Sequence, residues 1–417
     1  MIWIYLLGGL WALACLLVAL KHLRRKRLID DLPTSKAQGV FIGQCELKGT
    51  AESDKPFTSF LAGRRCVWYK WTVEEYWSRI TMVGSKLRHE SGWEKVAGGG
   101  KSSRFYLKDD TGLIRIAPKG AELETTIILE KECTRKNSLY YDKGPARAVN
   151  NSKHRRRFRE IAIPLHAKLY VTGHSRERTD VVAPEIAQDK NASLFVISTR
   201  TEKLIARSYI RWFWCWLVLG MLATVGTGFF YSAVHFVPVV NVYMIAVGGY
   251  LLAFCCGWVW MAYNSLVRLG NLVHQGWSQI DVQLKRRSDL LPQLVECVTG
   301  YRNYEREWQM AITELRTQAK AQPEMAHAIG APLAVIAERH PDLKADESFR
   351  KLQEEIISTE QRIALARAYF NNVATFYNTR LERFPDHLVA TLAGLKLRAL
   401  WQAEGFERAA LEIKLSD

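Results

Sequence analysis

The sequence lacks the cysteine pattern that a disulfide framework or a zinc site needs. Of its eight cysteines, four lie in long apolar runs and the other four are widely scattered, and no Cys-x-x-Cys pair occurs among them. The ten histidines show no spacing typical of metal ligands. Structural disulfides and metal sites are therefore not expected, and no residue pattern indicates a cofactor.

Charge of either sign is missing from Trp212 to Met261, which excludes an ordinary pair of soluble helices. Three apolar runs are long enough to cross a bilayer, namely Ile2–Leu20, Trp212–Phe236 and Val239–Met261. Core helices of a soluble domain would be shorter and would carry charges on one side. Only a short turn around Pro238 separates the two later runs, so they predict a transmembrane hairpin.

Basic residues beside these runs predict the orientation, since cytoplasmic flanks are enriched in Lys and Arg. No basic residue precedes the first run, unlike in a secretory signal peptide. Arg211 precedes the hairpin and Arg268 follows it. This pattern places the N-terminus outside and residues 28 to 205 and 265 to 417 in the cytoplasm. The basic flank of the first run consists of Lys21, Arg24, Arg25, Lys26 and Arg27.

The formal net charge of +16 comes from one part of the chain. Residues from Ala262 onward hold 20 basic and 20 acidic side chains, so the excess lies before Trp212. A basic domain beside a membrane favours anionic lipid headgroups; an ordinary solvated face and nucleic acid are the alternatives. We expect lipid and no nucleic acid. The candidate lipid contacts are the basic flank and Arg155, Arg156 and Arg157, although this arginine run also fits a disordered loop tip.

Residues of about 38 to 205 contain short β-type runs between turn signals, such as RCVWYKWTVEE, LIRIAP and AKLYVTG. Asp109 to Gly112 predict a hairpin turn with a strand on each side. This texture predicts a small β-rich domain, plausibly barrel-like. Gly98 to Gly100 are not followed by a helix with Lys-Ser or Lys-Thr, so we interpret them as a flexible loop rather than a phosphate cradle.

Three segments of this domain carry a family resemblance. They are PFTSFLAGRRCVWYKWTVEE from Pro56, FYLKDDTGLIRIAPKGAEL from Phe105 and REIAIPLHAKLYVTGHS from Arg159. Their order and spacing resemble the GIDE domain of membrane-embedded ligase-type proteins. In the eukaryotic relatives, ubiquitin ligation rests on a separate zinc-binding RING module. No Cys/His run here forms one, so the resemblance implies a domain flanked by two spans and not the ligase activity.

The stretch from Asn264 to Tyr301 continues the third apolar run with almost no linker. Its apolar residues predict an amphipathic helix close to the coiled-coil period, leaving the bilayer as an extension of the span. Pro292 is expected to kink this helix. Arg287 alone interrupts the seven-residue repeat of Leu266, Val273, Ile280, Leu294, Tyr301, Trp308 and Leu315.

The same stretch carries a second resemblance. GNLVHQGWSQIDVQLKRRSDLLPQLVECVTGY and the later AVIAERHPDLKADESFRKLQEEIISTEQRIALARAYFNNVATFYN resemble the signature of the LemA family over roughly residues 263 to 412. The resemblance implies a membrane-anchored cytoplasmic helical bundle of the bacterial inner membrane, with no agreed activity. A typical member has one N-terminal anchor directly before the bundle, whereas about 260 residues come first here. Helices over Phe349–Thr379 and His387–Leu411 would complete an antiparallel bundle of four helices, one of them short.

The bundle also suggests a self-assembly surface, because its first helix is apolar on two neighbouring repeats. The candidates for an intermolecular face are Trp277, Tyr301, Tyr304 and Trp308. Arg287 is expected to meet an acidic residue of another helix or another protomer, such as Glu354, Glu355 or Glu360. The neighbouring charges, in contrast, are explained by ordinary i,i+4 pairs along the helix.

Together these features predict an α+β membrane protein with three transmembrane helices, a β-rich barrel-like domain and a LemA-like antiparallel bundle. The expected parts are residues 1–27, 28–208, 209–261 and 262–417. We expect a non-enzymatic, homo-oligomeric scaffold in membrane organisation or envelope homeostasis, with anionic lipids as partners and a further protein partner left open. The alternative is an accessory subunit of an enzyme or transport system. An enzyme would need clustered catalytic groups and a conduit would need ionisable residues at membrane depth, and neither pattern is present.

Overall fold

The computed structural model describes residues 2–83, 86–178, 180, 183–189, 194–235, 239–300 and 347–401. It divides into two compact units, one formed by Leu17–Leu219 and the other by Met1–Leu16 with Gly220–Asp417. We describe each unit by itself.

Besides parts of two long helices, the first unit contains thirteen strands, a short 3-10 helix over Ala37–Gly39 and one short α-helix among its described residues. The strands are β1 Thr34–Ser35, β2 Gly43–Glu52, β3 Phe57–Thr58, β4 Arg65–Val83, β5 Lys86–Ser102, β6 Phe105–Lys108, β7 Leu113–Ile116, β8 Glu122–Glu124, β9 Thr126–Thr134, β10 Ser152–Pro164, β11 Lys168–Glu177, β12 Pro184–Ala187 and β13 Val196–Ser198. The short helix, α2, is Leu139–Asp142.

Five of these strands close into a barrel in the order β2, β6, β7, β12, β11 and back to β2. Only β7 and β12 pair in parallel; the other neighbours of the ring are antiparallel. Closure leaves none of the five strands as an open edge. The interior is filled by aliphatic and aromatic side chains, including Leu47, Phe105, Ile114, Val171 and Ile186. The barrel expected from the spacing of the β-type runs is confirmed.

The second sheet has the order β9, β10, β4, β5, with β3 beside the start of β4. Strands β4 and β5 form a long hairpin whose register runs from Trp68 opposite Ser102 to Val83 opposite Lys86. The prediction of a flexible loop at Gly98 to Gly100 is wrong, because these glycines lie inside β5. A Cβ atom on Gly100 would come within 2.5 Å of the Tyr69 carbonyl oxygen, so the close approach of the two strands requires glycine there.

Three long helices carry the apolar runs, and two further helices follow. They are α1 Ile2–Asp30, α3 Glu202–His235, α4 Val239–Gly300, α5 Glu347–Glu382 and α6 Asp386–Leu392. By length and composition, α1, α3 and α4 are each able to cross a membrane. The 62 residues of α4 form one helix that continues through Pro292, so the predicted continuation of the third apolar run into the amphipathic helix is confirmed.

In the second unit, α4 packs against α5. Gly270 lies beside Tyr377 and Gly276 beside Phe370, so the two helices run antiparallel. The shared core is formed by Leu266, Val273, Ile280 and Leu284 of α4 with Ile356, Ile363, Val373 and Leu381 of α5. The remaining part of the predicted four-helix bundle, residues 301–346, lies outside the described residues.

The predicted last helix, His387–Leu411, is wrong over residues 393–401, which are not helical. Helix α6 ends in a Schellman motif: the Leu395 N–H donates to the Ala390 carbonyl at 3.0 Å, and Gly394 adopts φ of +64°. Glycine tolerates this left-handed conformation, so it stops the helix despite the apolar residues that follow.

Candidate interaction surfaces

The arginine run lies on strand β10 rather than in a loop, and alternation along the strand separates its members. Arg155 and Arg157 lie on one face, whereas Arg156 lies on the other and is 1% exposed. The Arg156 guanidinium donates to Glu75 Oε2 at 3.1 Å and to the Tyr140 carbonyl at 2.8 Å. Arg156 is thus an interior ion-pair residue, and the prediction that it contacts lipid is wrong.

Glu75 is the centre of this buried network. It is 0% exposed and accepts hydrogen bonds from the Tyr140 hydroxyl at 2.9 Å and from Ser152 Oγ at 2.5 Å. Burial raises the pKa of Glu75, but the hydrogen bonds from Ser152, Tyr140 and Arg156 outweigh burial and hold its pKa below the usual range. The network fixes the α2 segment onto the second sheet, and sequence reasoning did not find Glu75.

The opposite face of the same sheet carries the exposed Arg155 and the half-buried Arg157 over aromatic rings. Arg155 and Arg157 donate to Glu132 at 2.7 and 2.8 Å. The Arg157 guanidinium lies 4.2 Å from the Trp93 ring centre, and Arg155 lies 5.7 Å from that of Tyr76. Hydrogen bonds from Arg157 and Arg155 keep the pKa of Glu132 low. The surface is therefore an aromatic and cationic platform whose charge is partly compensated.

The end of the β4–β5 hairpin extends this platform with apolar side chains. Ile80, Met82 and Leu87 are 69%, 74% and 74% exposed. Met82 is paired with Leu87, and alternation places both on the face that carries Tyr76 and Trp93. A contiguous exposed apolar patch beside aromatic and basic residues is typical of a lipid or protein contact. The alternating Ile80 and Met82 were the signal in the sequence that our reasoning missed.

The basic flank of α1 divides into exposed and paired residues. Lys21 and Arg24 are exposed, whereas Arg25, Lys26 and Arg27 are half-buried. Arg25 forms an ion pair with Glu122 at 2.7 Å, and Lys26 pairs with Asp30. Lys21 and Arg24 are thus the members of the flank best placed to meet headgroups.

Two of the residues predicted to form the assembly surface, Trp277 and Arg287, lie against or inside their own chain. Trp277 is 42% exposed, and its ring lies 5.5 Å from that of Phe370 and 5.3 Å from that of Trp401. Arg287 is 4% exposed, so its side chain lies in the interior of its own chain, which favours a partner on another helix over one on another protomer. Tyr301, Tyr304 and Trp308 lie outside the described residues.

After α6 the chain runs back along α5 as an extended segment, residues 395–401, which we call the arm. Two amide side chains of α5 hold its backbone. Asn378 donates to the Arg398 carbonyl at 2.8 Å and accepts from the Arg398 N–H at 2.9 Å. Asn371 makes the same pair of bonds with Trp401, at 3.0 and 2.8 Å. The sequence shows two asparagines seven residues apart, but their role depends on the arm, which was expected to be helical.

The α6 region presents an apolar belt next to the end of the third apolar run. Phe384, Leu388 and Leu392, spaced four residues apart, are 75%, 54% and 88% exposed. Beside them, a groove of about 550 Å³ lies between α6 and α4. Trp260 and Tyr263 line that groove and are 73% and 44% exposed. Exposed apolar and indole groups at the end of an apolar span are typical of the membrane interface.

Comparison with known proteins agrees with both resemblances. Residues 276–415 match the LemA family model, and residues 76–230 match the GIDE model, described as E3 ubiquitin ligase. The Protein LemA of Metamycoplasma hominis is 28% identical over 159 residues, covering 36% of this chain and 73% of that protein. Among the described residues, no group of three or more His, Cys, Asp or Glu side chains is arranged to hold a metal ion. The chain thus joins a GIDE-like segment to a LemA-like segment, as the sequence motifs predict.

Proposed function

We propose that the protein is a non-enzymatic integral membrane scaffold that self-assembles through its helical bundle and holds its β domain at the cytoplasmic face of a bacterial inner membrane. The observation that supports this most directly is α4. One unbroken helix of 62 residues contains an apolar stretch long enough to span and then supplies the core of the α4–α5 pair. A continuous helix transmits position and orientation, because it has no flexible joint between membrane and bundle.

The orientation in this proposal rests on the basic flanks of the three apolar helices, which favour an outside N-terminus and a cytoplasmic C-terminus. The lipid contacts require revision from the sequence interpretation. Lys21 and Arg24 remain as basic contacts, Arg156 is removed, and the apolar hairpin end with its platform is added. The α6 belt is a further contact, lying where α4 leaves the hydrocarbon region.

Cysteine labelling of the intact protein in membrane vesicles tests the topology. Cysteines at Gln38, Asn241 and the C-terminus are introduced one at a time into a background without native cysteines. Gln38 and Asn241 are both exposed in the fold, so burial does not limit the reaction. We expect an impermeant maleimide applied outside to label only Asn241, and detergent to open the other two positions. External labelling of the C-terminal cysteine would overturn the scaffold as proposed.

A second candidate, an accessory subunit of a membrane enzyme, is favoured by the match to a model described as E3 ubiquitin ligase. Such a subunit would bind a separate catalytic protein. Crosslinking in intact membranes, followed by identification of the captured proteins, separates the two. Stoichiometric capture of one enzyme would favour the accessory role, whereas capture of further copies of this chain would favour the scaffold.

A further inference from the structure

We propose that Asn371 and Asn378 form a peptide-backbone-binding groove, and that the arm of a second copy occupies it in the assembled protein. The inference deepens the proposed self-assembly and rests on it. It gives that assembly a specific contact, the exchange of residues 395–401 between neighbouring chains.

The two asparagines of the groove are spaced to bind an extended backbone. Each asparagine uses its amide as both donor and acceptor for one arm residue, giving four hydrogen bonds of 2.8 to 3.0 Å. Seven helical residues rise about 10.5 Å. Three residues of extended chain, from Arg398 to Trp401, span about 10 Å. The spacing of the two amides on α5 therefore matches an extended strand and would not match a helix.

One aromatic side chain sets the position of the arm along the groove. The Trp401 ring lies 5.3 Å from the Trp277 ring, and the Arg367 guanidinium lies 4.9 Å above it. Stacking and cation–π contacts of this kind favour an indole over a smaller side chain. The ligand chemistry is thus an extended segment with a tryptophan at one end, which every copy of this chain carries.

Within the part of the chain that the structure describes, little else holds the arm. Leu397 and Leu400 are 56% and 45% exposed, and Lys396, Arg398 and Ala399 are exposed as well. A segment that buries so little apolar surface opens at a low free energy compared with the core. The arm can therefore leave its own groove and form the same backbone hydrogen bonds and indole contact in the groove of a neighbouring chain.

The start of the arm is a defined hinge. Gly394 adopts φ of +64° at the end of α6, and its N–H donates to the Thr391 carbonyl at 3.2 Å. Seven extended residues reach about 23 Å from this hinge, about two helix diameters. Exchange therefore requires bundles standing side by side. Confinement to one membrane raises the effective concentration of such neighbours.

The exchange also gives Trp277 the intermolecular role that its sequence suggested. In an exchanged assembly, Trp277 of one copy receives Trp401 of the next, with the ring contact seen within one chain. The contact surface then joins the groove of one copy to the arm of the next.

Two complementary variants of the full-length protein test this, coexpressed with different affinity tags. N371A/N378A removes the groove amides, and R398P/W401P removes the arm N–H groups and the indole. N372A and A399P are the matched controls, since Asn372 is exposed and A399P leaves both clamped N–H groups in place. We expect each variant alone to lose tenfold or more of the tag-to-tag recovery that wild type shows in mild detergent. The mixed pair should recover heterodimers, because one intact groove meets one intact arm.

Disulfide crosslinking tests the exchange even if one of these variants fails to fold. T375C in one tagged copy and A399C in the other, without native cysteines, should crosslink between chains in membranes. If the double variant T375C/A399C crosslinks only within one chain, exchange is wrong. Wild-type assembly that survives both groove and arm variants would refute the exchange and leave the scaffold intact. Wild type that never copurifies with itself would refute the self-assembly as well.

Discussion

The Arg156 guanidinium and the Glu75 carboxylate form an ion pair at 3.1 Å in which the two side chains are 1% and 0% exposed. Both are sealed between β4, β10 and α2. The Tyr140 ring also packs 3.9 Å from the guanidinium carbon. A buried charge pair of this kind stabilises little by itself, but removing one partner leaves the other charged and desolvated.

We therefore expect R156A to destabilise the β domain by about 3–5 kcal/mol. R155A, whose side chain is half-exposed and pairs at the surface, should cost less than about 1 kcal/mol. The double variant R156M/E75L should recover only part of the loss, because the Tyr140 hydroxyl and Ser152 Oγ then lose their acceptor. Thermal unfolding of the purified protein in detergent measures all three. Equal losses for R155A and R156A would mean that burial of the pair does not matter.

Acid should weaken the same domain. The pKa of Glu75 is held low, and burial of Glu185 is likewise outweighed by hydrogen bonds from Arg176 and Arg115, which keep its pKa low. A carboxyl group with a lowered folded pKa contributes stability above its unfolded pKa of about 4.3 and loses it as pH falls through the folded value. We expect the melting temperature to fall below about pH 4.3. E75Q should be less stable at pH 7 and show a shallower fall, and parallel curves would contradict the assignment.

Much of this fold could be predicted from its sequence, because the signals were local. The three apolar helices follow from length and the absence of charge, and α4 follows from the seven-residue repeat. The wrong predictions concerned residues whose structure depends on partners that are distant in the sequence. Strand β5 passes through Gly98 to Gly100 because β4 pairs with it. The arginine run became a strand with one residue inside because Glu75, 81 positions away, receives Arg156.

The arm is a second segment whose structure depends on residues far away in the sequence. Leu388, Leu392 and Leu395 have helical spacing, four and three residues apart, and this pattern favours continuation of α6. Gly394 and the two asparagines of α5 together override that local preference. A single glycine in an apolar stretch predicts a helix end only weakly, and the matching amides lie 20 and 30 residues earlier in the chain. The residues of the proposed groove were therefore visible in the sequence, but their relationship was not.

The hairpin end gives a prediction about lipid contact. Met82 and Leu87 share one face, whereas Thr81 and Arg88 share the other. If the apolar face meets the bilayer, a fluorophore at L87C in proteoliposomes should be quenched by lipids that carry a quencher near the headgroup. The same fluorophore at R88C should be quenched less. Raising the salt concentration should reduce the difference only slightly, because the contact is mainly apolar. Equal quenching at both positions would point to a solvated hairpin.

The α6 belt leads to a separate prediction on depth. Leu392 is 88% exposed beside the groove formed with α4, and His387 is exposed at another angle around α6. Spin labels at L392C and H387C in lipid nanodiscs should differ. We expect oxygen, which concentrates in lipid, to relax the label at 392 more strongly, and a water-soluble nickel complex to relax the label at 387. Labels with the same profile would show that α6 does not lie in the membrane interface.

The last prediction concerns Arg287. Because this side chain is buried, its removal is expected to change the stability of the bundle. At 4% exposure within one chain, its loss should act on the bundle and not on the assembly. We expect R287L to destabilise the bundle by about 1–3 kcal/mol, since it removes the polar contacts of a buried guanidinium, and to keep the particle size in detergent unchanged. R286L is the matched control. Burial and then the charge of Arg286 lower the pKa of Arg362 on α5, so removing Arg286 should relieve repulsion and be neutral or stabilising. A change in particle size with R287L, at unchanged stability, would return Arg287 to the contact between protomers.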